Sequence, residues 1–109
     1  MDRLHQPRPI LPATTWGEKE GTVTNSERRI TRVRAAVPAP GQARHDWQIV
    51  VDLAQRLLAQ PDIAQRCGGL RMDYASAQDI WLEHRESTRG RDLDITGMSY
   101  EQLDQQPLQ

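Results

Sequence analysis

Apolar residues fall at positions 47, 50, 51, 54, 57 and 58, the spacing of one face of an α-helix, and predict a helix over 46–60. Asp46, or His45 just before it, stands where an N-cap belongs, and a carboxylate at Asp46 suits the positive end of the helix. Pro61 ends the pattern. Ile49 and Leu53 are apolar too, so Gln48, Asp52, Gln55 and Arg56 are confined to one narrow polar strip. A helix apolar over so wide an arc needs partners on several sides, and the remaining segments supply few. A second helix is predicted over 76–87, with Ser76 as N-cap, Asp79 three residues on, and Ala77, Ile80, Trp81 and His84 on its apolar face. A short third helix over 99–106 starts at Ser99, pairs Ser99 with Gln102, and closes at Pro107.

The other segments read as extended or irregular. Thr22, Val23 and Thr24, then Ile30, Thr31 and Val33, are β-branched and favour strands within 22–25 and 28–37. Asn25–Ser26 between them is a turn signal. Alternation is poor, so the prediction is an irregular hairpin arm. Ile10–Leu11 ends a short strand, with Pro12 stopping the ladder. Residues 17–21 are bracketed by glycines and read as a turn. Residues 37–46 and 61–74 read as connectors, the second broken at Gly68–Gly69, and 88–98 as loop or short strand. Residues 1–9 carry no periodicity and are expected to be extended and loose.

Composition narrows the function classes. A chain of 109 residues is one domain's worth, able to bury about 65% of its unfolded surface. Apolar content of 37% without a single Phe makes for a thin core. A net charge of −1 argues against a dedicated nucleic-acid or membrane-surface protein. One cysteine, Cys67, excludes an internal disulfide, a zinc finger and a self-contained iron–sulfur cluster. No apolar run approaches the roughly 18 residues of a membrane span, and a cytoplasmic location is the expectation.

The candidate chemistry is concentrated in "NSERR", residues 25–29. Glu27 sets one carboxylate beside Arg28 and Arg29, and in an extended segment Glu27 and Arg29 share a face while Arg28 points to the other. Such a group either orients an anion or holds an irregular segment in place, and ion-pair networks are the commoner of the two. Arg28, Arg29, Arg32 and Arg34 lack the interleaved aromatics of a nucleic-acid surface, and Glu18, Glu20 and Glu27 lie close by. His5, His45 and His84 form no metal-ligand spacing with one another or with Cys67. By these physical criteria the chain has no self-contained catalytic set.

The order of segments carries a further signal. "LPATTWGEKEGTVTNSERR", then "PAPGQAR", then "DWQI" resembles the molybdopterin oxidoreductases, which include formate dehydrogenases and bacterial nitrate reductases. The later "RGRDLDITGMSYEQLDQQPLQ" resembles the assimilatory nitrate reductases of that family. The resemblance covers residues 10–109 and leaves 1–9 unmatched. It implies an α/β piece, helices plus short irregular strands cut from a larger dinucleotide-type α/β domain, ahead of a C-terminal barrel-like domain. It implies parent enzymes that carry a bis(molybdopterin guanine dinucleotide) molybdenum cofactor and a [4Fe–4S] cluster, and that reduce nitrate to nitrite. For this chain alone it implies no cofactor, no activity, and the remainder of the catalytic chain or a partner subunit as its partner. Asn25, Glu27 and Arg28 are the residues it places at the wall of the cofactor pocket. Two other readings stand beside it: a non-catalytic module docking through helix 46–60, and a formate dehydrogenase-like parent.

Overall fold

The structure, a computed structural model, describes residues 8–106. Two strands form an antiparallel hairpin: β1 is Gly21–Thr24 and β2 is Ile30–Val33, with Thr24 opposite Ile30 and Gly21 opposite Val33. Four helices follow: α1 Asp46–Leu58, α2 Pro61–Arg66, α3 Ala77–Ser87 and α4 Tyr100–Gln105. Helix and strand thus coexist in one small unit, as the sequence pattern predicts.

The three predicted helices form with their predicted starts. Ser76 Oγ accepts from the Asp79 N–H at 3.3 Å, and Ser99 Oγ accepts from the Gln102 N–H at 3.3 Å. His45, not Asp46, is the N-cap of α1, and its N–H donates to Gln48 Oε1 at 3.1 Å. The predicted close of α4 at Pro107 and the expected looseness of residues 1–7 lie outside the described residues.

Three expectations are corrected. Ile10–Leu11 forms no strand; only an isolated parallel bridge joins Ala13 to Arg44. Pro12 has no N–H to extend a ladder and instead offers its carbonyl to the Arg44 N–H at 3.1 Å. The segment read as the connector 61–74 contains α2. Pro61 ends one helix and begins another, because a fixed φ and no need for an N–H suit the first helical position. The turn expected at 17–21 is a single 3₁₀ turn at Trp16–Glu18, held by Glu18 Oε2 on the Thr15 N–H at 3.0 Å.

The core is small. Ile30 of β2, Trp81 of α3 and Leu103 of α4 are buried together, flanked by Ile95, Met98 and Tyr100. Trp81 and Tyr100 stack at 6.0 Å between ring centroids. On α1 only Val51 is buried, while Val50, Leu53 and Leu57 stay exposed. The wide apolar arc of that helix is therefore open, as its thin supply of partners predicts.

Candidate functional site

The hairpin turn carries the residues singled out by chemistry. Asn25 shapes it: its Oδ1 accepts from the N–H groups of Glu27 at 2.9 Å and Arg29 at 3.0 Å. Its backbone adds two more bonds, Arg28 N–H to Asn25 O and Asn25 N–H to Arg29 O, both 3.0 Å. This winding puts Arg28 at φ 66°, the left-handed region that an L side chain enters at a cost. The segment is therefore a tight turn and not the extended run expected at 28–37; β2 begins only at Ile30. Glu27 and Arg29 do come together, at 3.8 Å. Arg28 is exposed, and its guanidinium has no partner among the described residues.

Arg32 is the residue that sequence reasoning missed. In sequence it is one of four arginines between positions 28 and 34; in the fold it is the hub of the hairpin. Its guanidinium donates to the Gly21 carbonyl at 3.1 Å, to the Val33 carbonyl, and to Glu20 Oε2 at 2.9 Å. It lies 3.6 Å from Asp104 of α4 and 3.8 Å above the ring of Tyr100. Asp104 also takes Arg34, at 3.1 Å. The signal was present: Arg32 stands two residues after Ile30, so both side chains point to the same face of β2, which is the buried one. Three of the four arginines, Arg29, Arg32 and Arg34, are thus engaged in ion pairs with the protein itself.

These contacts shift two titrations. Glu20 is held below the usual carboxylate range, first by the Ala35 N–H and then by Arg32. Burial pushes the Tyr100 hydroxyl up, so that it stays protonated well above neutral pH.

The described residues offer no metal centre. No group of three or more His, Cys, Asp or Glu among them is placed to hold a metal ion, and Cys67 is exposed on its own. The donor chemistry fits an anion better; on the hairpin turn the guanidinium of Arg28 is exposed and unpaired. Two hollows lie on the surface of the described residues. The larger, about 810 Å³, lies between Ile10, Leu11 and the Ile49–Leu53 side of α1. The smaller, about 230 Å³, lies among Thr22, Trp47, Ile80, Trp81, His84 and Tyr100.

Comparison with known proteins matches residues 9–56 to the family described as molybdopterin oxidoreductase. The chain is 46% identical over 94 residues to the assimilatory nitrate reductase catalytic subunit of Bacillus subtilis, a stretch covering 86% of this chain and 12% of that one. It is 42% identical over 94 residues to the F420-dependent formate dehydrogenase 2 subunit alpha of Methanococcus maripaludis, with the same shares. It is 40% identical over 95 residues to the assimilatory nitrate reductase of Haloferax mediterranei, covering 87% of this chain and 12% of the relative. The chain thus spans about 12% of the length of these curated relatives.

Proposed function

The chain belongs to the molybdopterin oxidoreductase family, and on that premise we propose that it supplies one segment of a molybdenum-dependent catalytic subunit that reduces nitrate to nitrite. The observation that carries this reading is the 46% identity to an assimilatory nitrate reductase across most of the chain. On this reading residues 10–109 are part of a dinucleotide-type α/β domain that precedes a barrel-like one, and 1–9 lie outside it. The partner is the remainder of the catalytic chain or a partner subunit. Nucleic acid and membrane are not partners, and the protein works in the cytoplasm. Among the described residues no helix is long and apolar enough to cross a membrane.

The family implies a molybdenum–molybdopterin cofactor in the whole enzyme, where it supplies two-electron chemistry; a [4Fe–4S] cluster belongs to the same proposal. The described side chains do not fit the metal, so no step through it is assigned to them. At the hairpin turn they do fit the phosphate-bearing part of a dinucleotide. Arg28 is exposed and unpaired, and a guanidinium matches two phosphate oxygens with its fork of donors. Asn25 and Glu27 are proposed beside it at the pocket wall: Asn25 winds the turn that projects Arg28, and Glu27 holds Arg29 away from the anion.

Alone, the chain is expected to be inactive. Purified chain supplied with an artificial reductant should form no nitrite, whereas the same segment within the full catalytic length should. Nitrite formation by the isolated chain would overturn the reading. A formate dehydrogenase-like parent is the second reading, favoured by the 42% identity to a formate dehydrogenase alpha subunit. Assaying the full-length enzyme with nitrate and with formate separates the two. A purely non-catalytic module docking through helix 46–60 is a third, favoured by the exposed Val50, Leu53 and Leu57. Partner binding without any change in the partner's turnover would support it.

A further inference from the structure

One face of α1 reads nearly the same from either end. Asp46, Val50, Leu53, Leu57 and, just past the helix, Gln60 follow one another at intervals of four, three, four and three residues, the repeat that lines one seam of a helix. All five are exposed. Turned end for end about Leu53, the row falls on itself: Asp46 lands on Gln60, and Val50 lands within one residue of Leu57. The middle of the row is apolar and a polar residue closes each end. Such a row is complementary to a second copy of itself laid antiparallel, which is what a two-fold contact requires.

The edges of the row decide the orientation. Along one edge Trp47, Val51, Ala54 and Leu58 are buried or half-buried against the body of the chain. Along the other stand Ile49, Asp52 and Arg56, which line the larger hollow together with Ile10 and Leu11. A parallel pair would set the open edge of one copy against the covered edge of the other, which is not accessible. An antiparallel pair sets the open edge against itself.

That open edge also complements itself in charge. Asp52 and Arg56 sit near its middle, 3.4 Å apart, and their side chains keep 44% and 77% exposure. In the antiparallel pair each Asp52 faces Arg56 of the other copy, with an offset along the axis of about 3 Å that an arginine side chain spans. The opposite ends of the two helix dipoles lie side by side as well.

We propose that α1 is the contact of a two-fold homodimer, with the Val50, Leu53 and Leu57 row of one copy packed antiparallel on the same row of another and flanked by Asp52–Arg56 pairs. A helix face of 13 residues, about 20 Å long and 10 Å across, is smaller than the standard interface of about 800 Å² per partner even with Ile10 and Leu11 beside it, so the dimer is a reversible one. The contact concerns the chain as it stands and does not depend on the catalytic reading.

The full chain and its variants Asp52→Arg and Arg56→Asp are followed by sedimentation equilibrium, each alone and the two variants as an equimolar mixture. Far-ultraviolet circular dichroism confirms that each is folded, as expected for changes at exposed side chains. The native chain should pass from monomer to dimer as its concentration rises, and stop there. Either variant alone sets like charges face to face and should dimerise at least about fivefold more weakly, while the mixture restores opposite charges and should return to within about threefold of the native affinity. A native chain that stays monomeric up to millimolar concentration overturns the proposal and leaves this face to another protein. Growth past the dimer overturns it too, because a contact that does not close is head-to-tail. So does a mixture that dimerises no more tightly than the separate variants, since the open edges then do not meet.

Discussion

Asp94 shows how much one side chain does in the loop after α3. Its carboxylate accepts from the Thr96 hydroxyl at 2.6 Å, from the Thr96 N–H at 2.9 Å and from the Gly90 N–H at 2.9 Å. Led by the Thr96 hydroxyl, these bonds pull its pKa from 3.8 down to about 2. A depressed carboxylate stabilises the fold above its ordinary pKa and loses that contribution as pH falls through the folded value. Between pH 4 and pH 2 the loop that closes α3 should therefore loosen, with a near-ultraviolet circular dichroism signal to follow it. Asp94→Asn should flatten that part of the titration. Arg32 acts at the same scale and reaches further. Its side chain is only 11% exposed and ties both strands to α4, but Glu20 and Asp104 keep 45% and 37% exposure, so water offsets part of the loss. Arg32→Met is expected to destabilise by about 2 kcal/mol in a denaturant melt.

Among the elements, the helices were legible and the strands only partly so. Serine caps are local devices: a hydroxyl meets an N–H three residues on, whatever the rest of the chain does. Ser76→Ala and Ser99→Ala should each cost about 1 kcal/mol, read as a fall in the thermal midpoint without change of fold. The strand expected within 28–37 forms as a hairpin arm but only over Ile30–Val33, because Asn25 closes a turn through Arg29 that sequence alone marks only as a tendency. Pattern alone reads Pro61 as a stop and leaves α2 unmarked, although proline also suits a start. At the turn, Glu27 and Arg29 do meet, but across a left-handed turn and not along the extended segment whose spacing suggested the pair, and the exposed, unpaired state of Arg28 depends on that same backbone, which no pattern announces.

For the whole molecule, size and surface speak together. A compact folded chain of this mass exposes about 6,200 Å², whereas this one exposes 8814 Å². Its radius of gyration is 17.6 Å, against about 13 Å for a compact chain of the same length. Extents of 55 × 36 × 25 Å describe an open body whose apolar α1 face is available to a neighbour. Leu53 and Leu57, 59% and 46% exposed, contribute little to the isolated fold. The double change Leu53→Gln and Leu57→Gln should alter stability by no more than about 0.5 kcal/mol. Sedimentation velocity should show the parent chain associating as its concentration rises, and the double variant remaining monomeric. Equal association of the two would mean that α1 is not the contact face.

What the amino-acid order determined unaided was local. It set the spacing of α1 and α3, the serine that begins each of two helices, the turn at Asn25, and an apolar arc wider than so short a chain covers. Each follows from neighbours within about four residues, where periodicity and capping act. The tertiary structure alone decided which charges meet. Arg32 became a buried hub because β2 shows that face to α4, and Trp47, Trp81 and Tyr100 came to share one hollow because three separate helices converge there. Contacts between residues tens of positions apart depend on how the elements pack, and packing leaves no periodic trace along the chain.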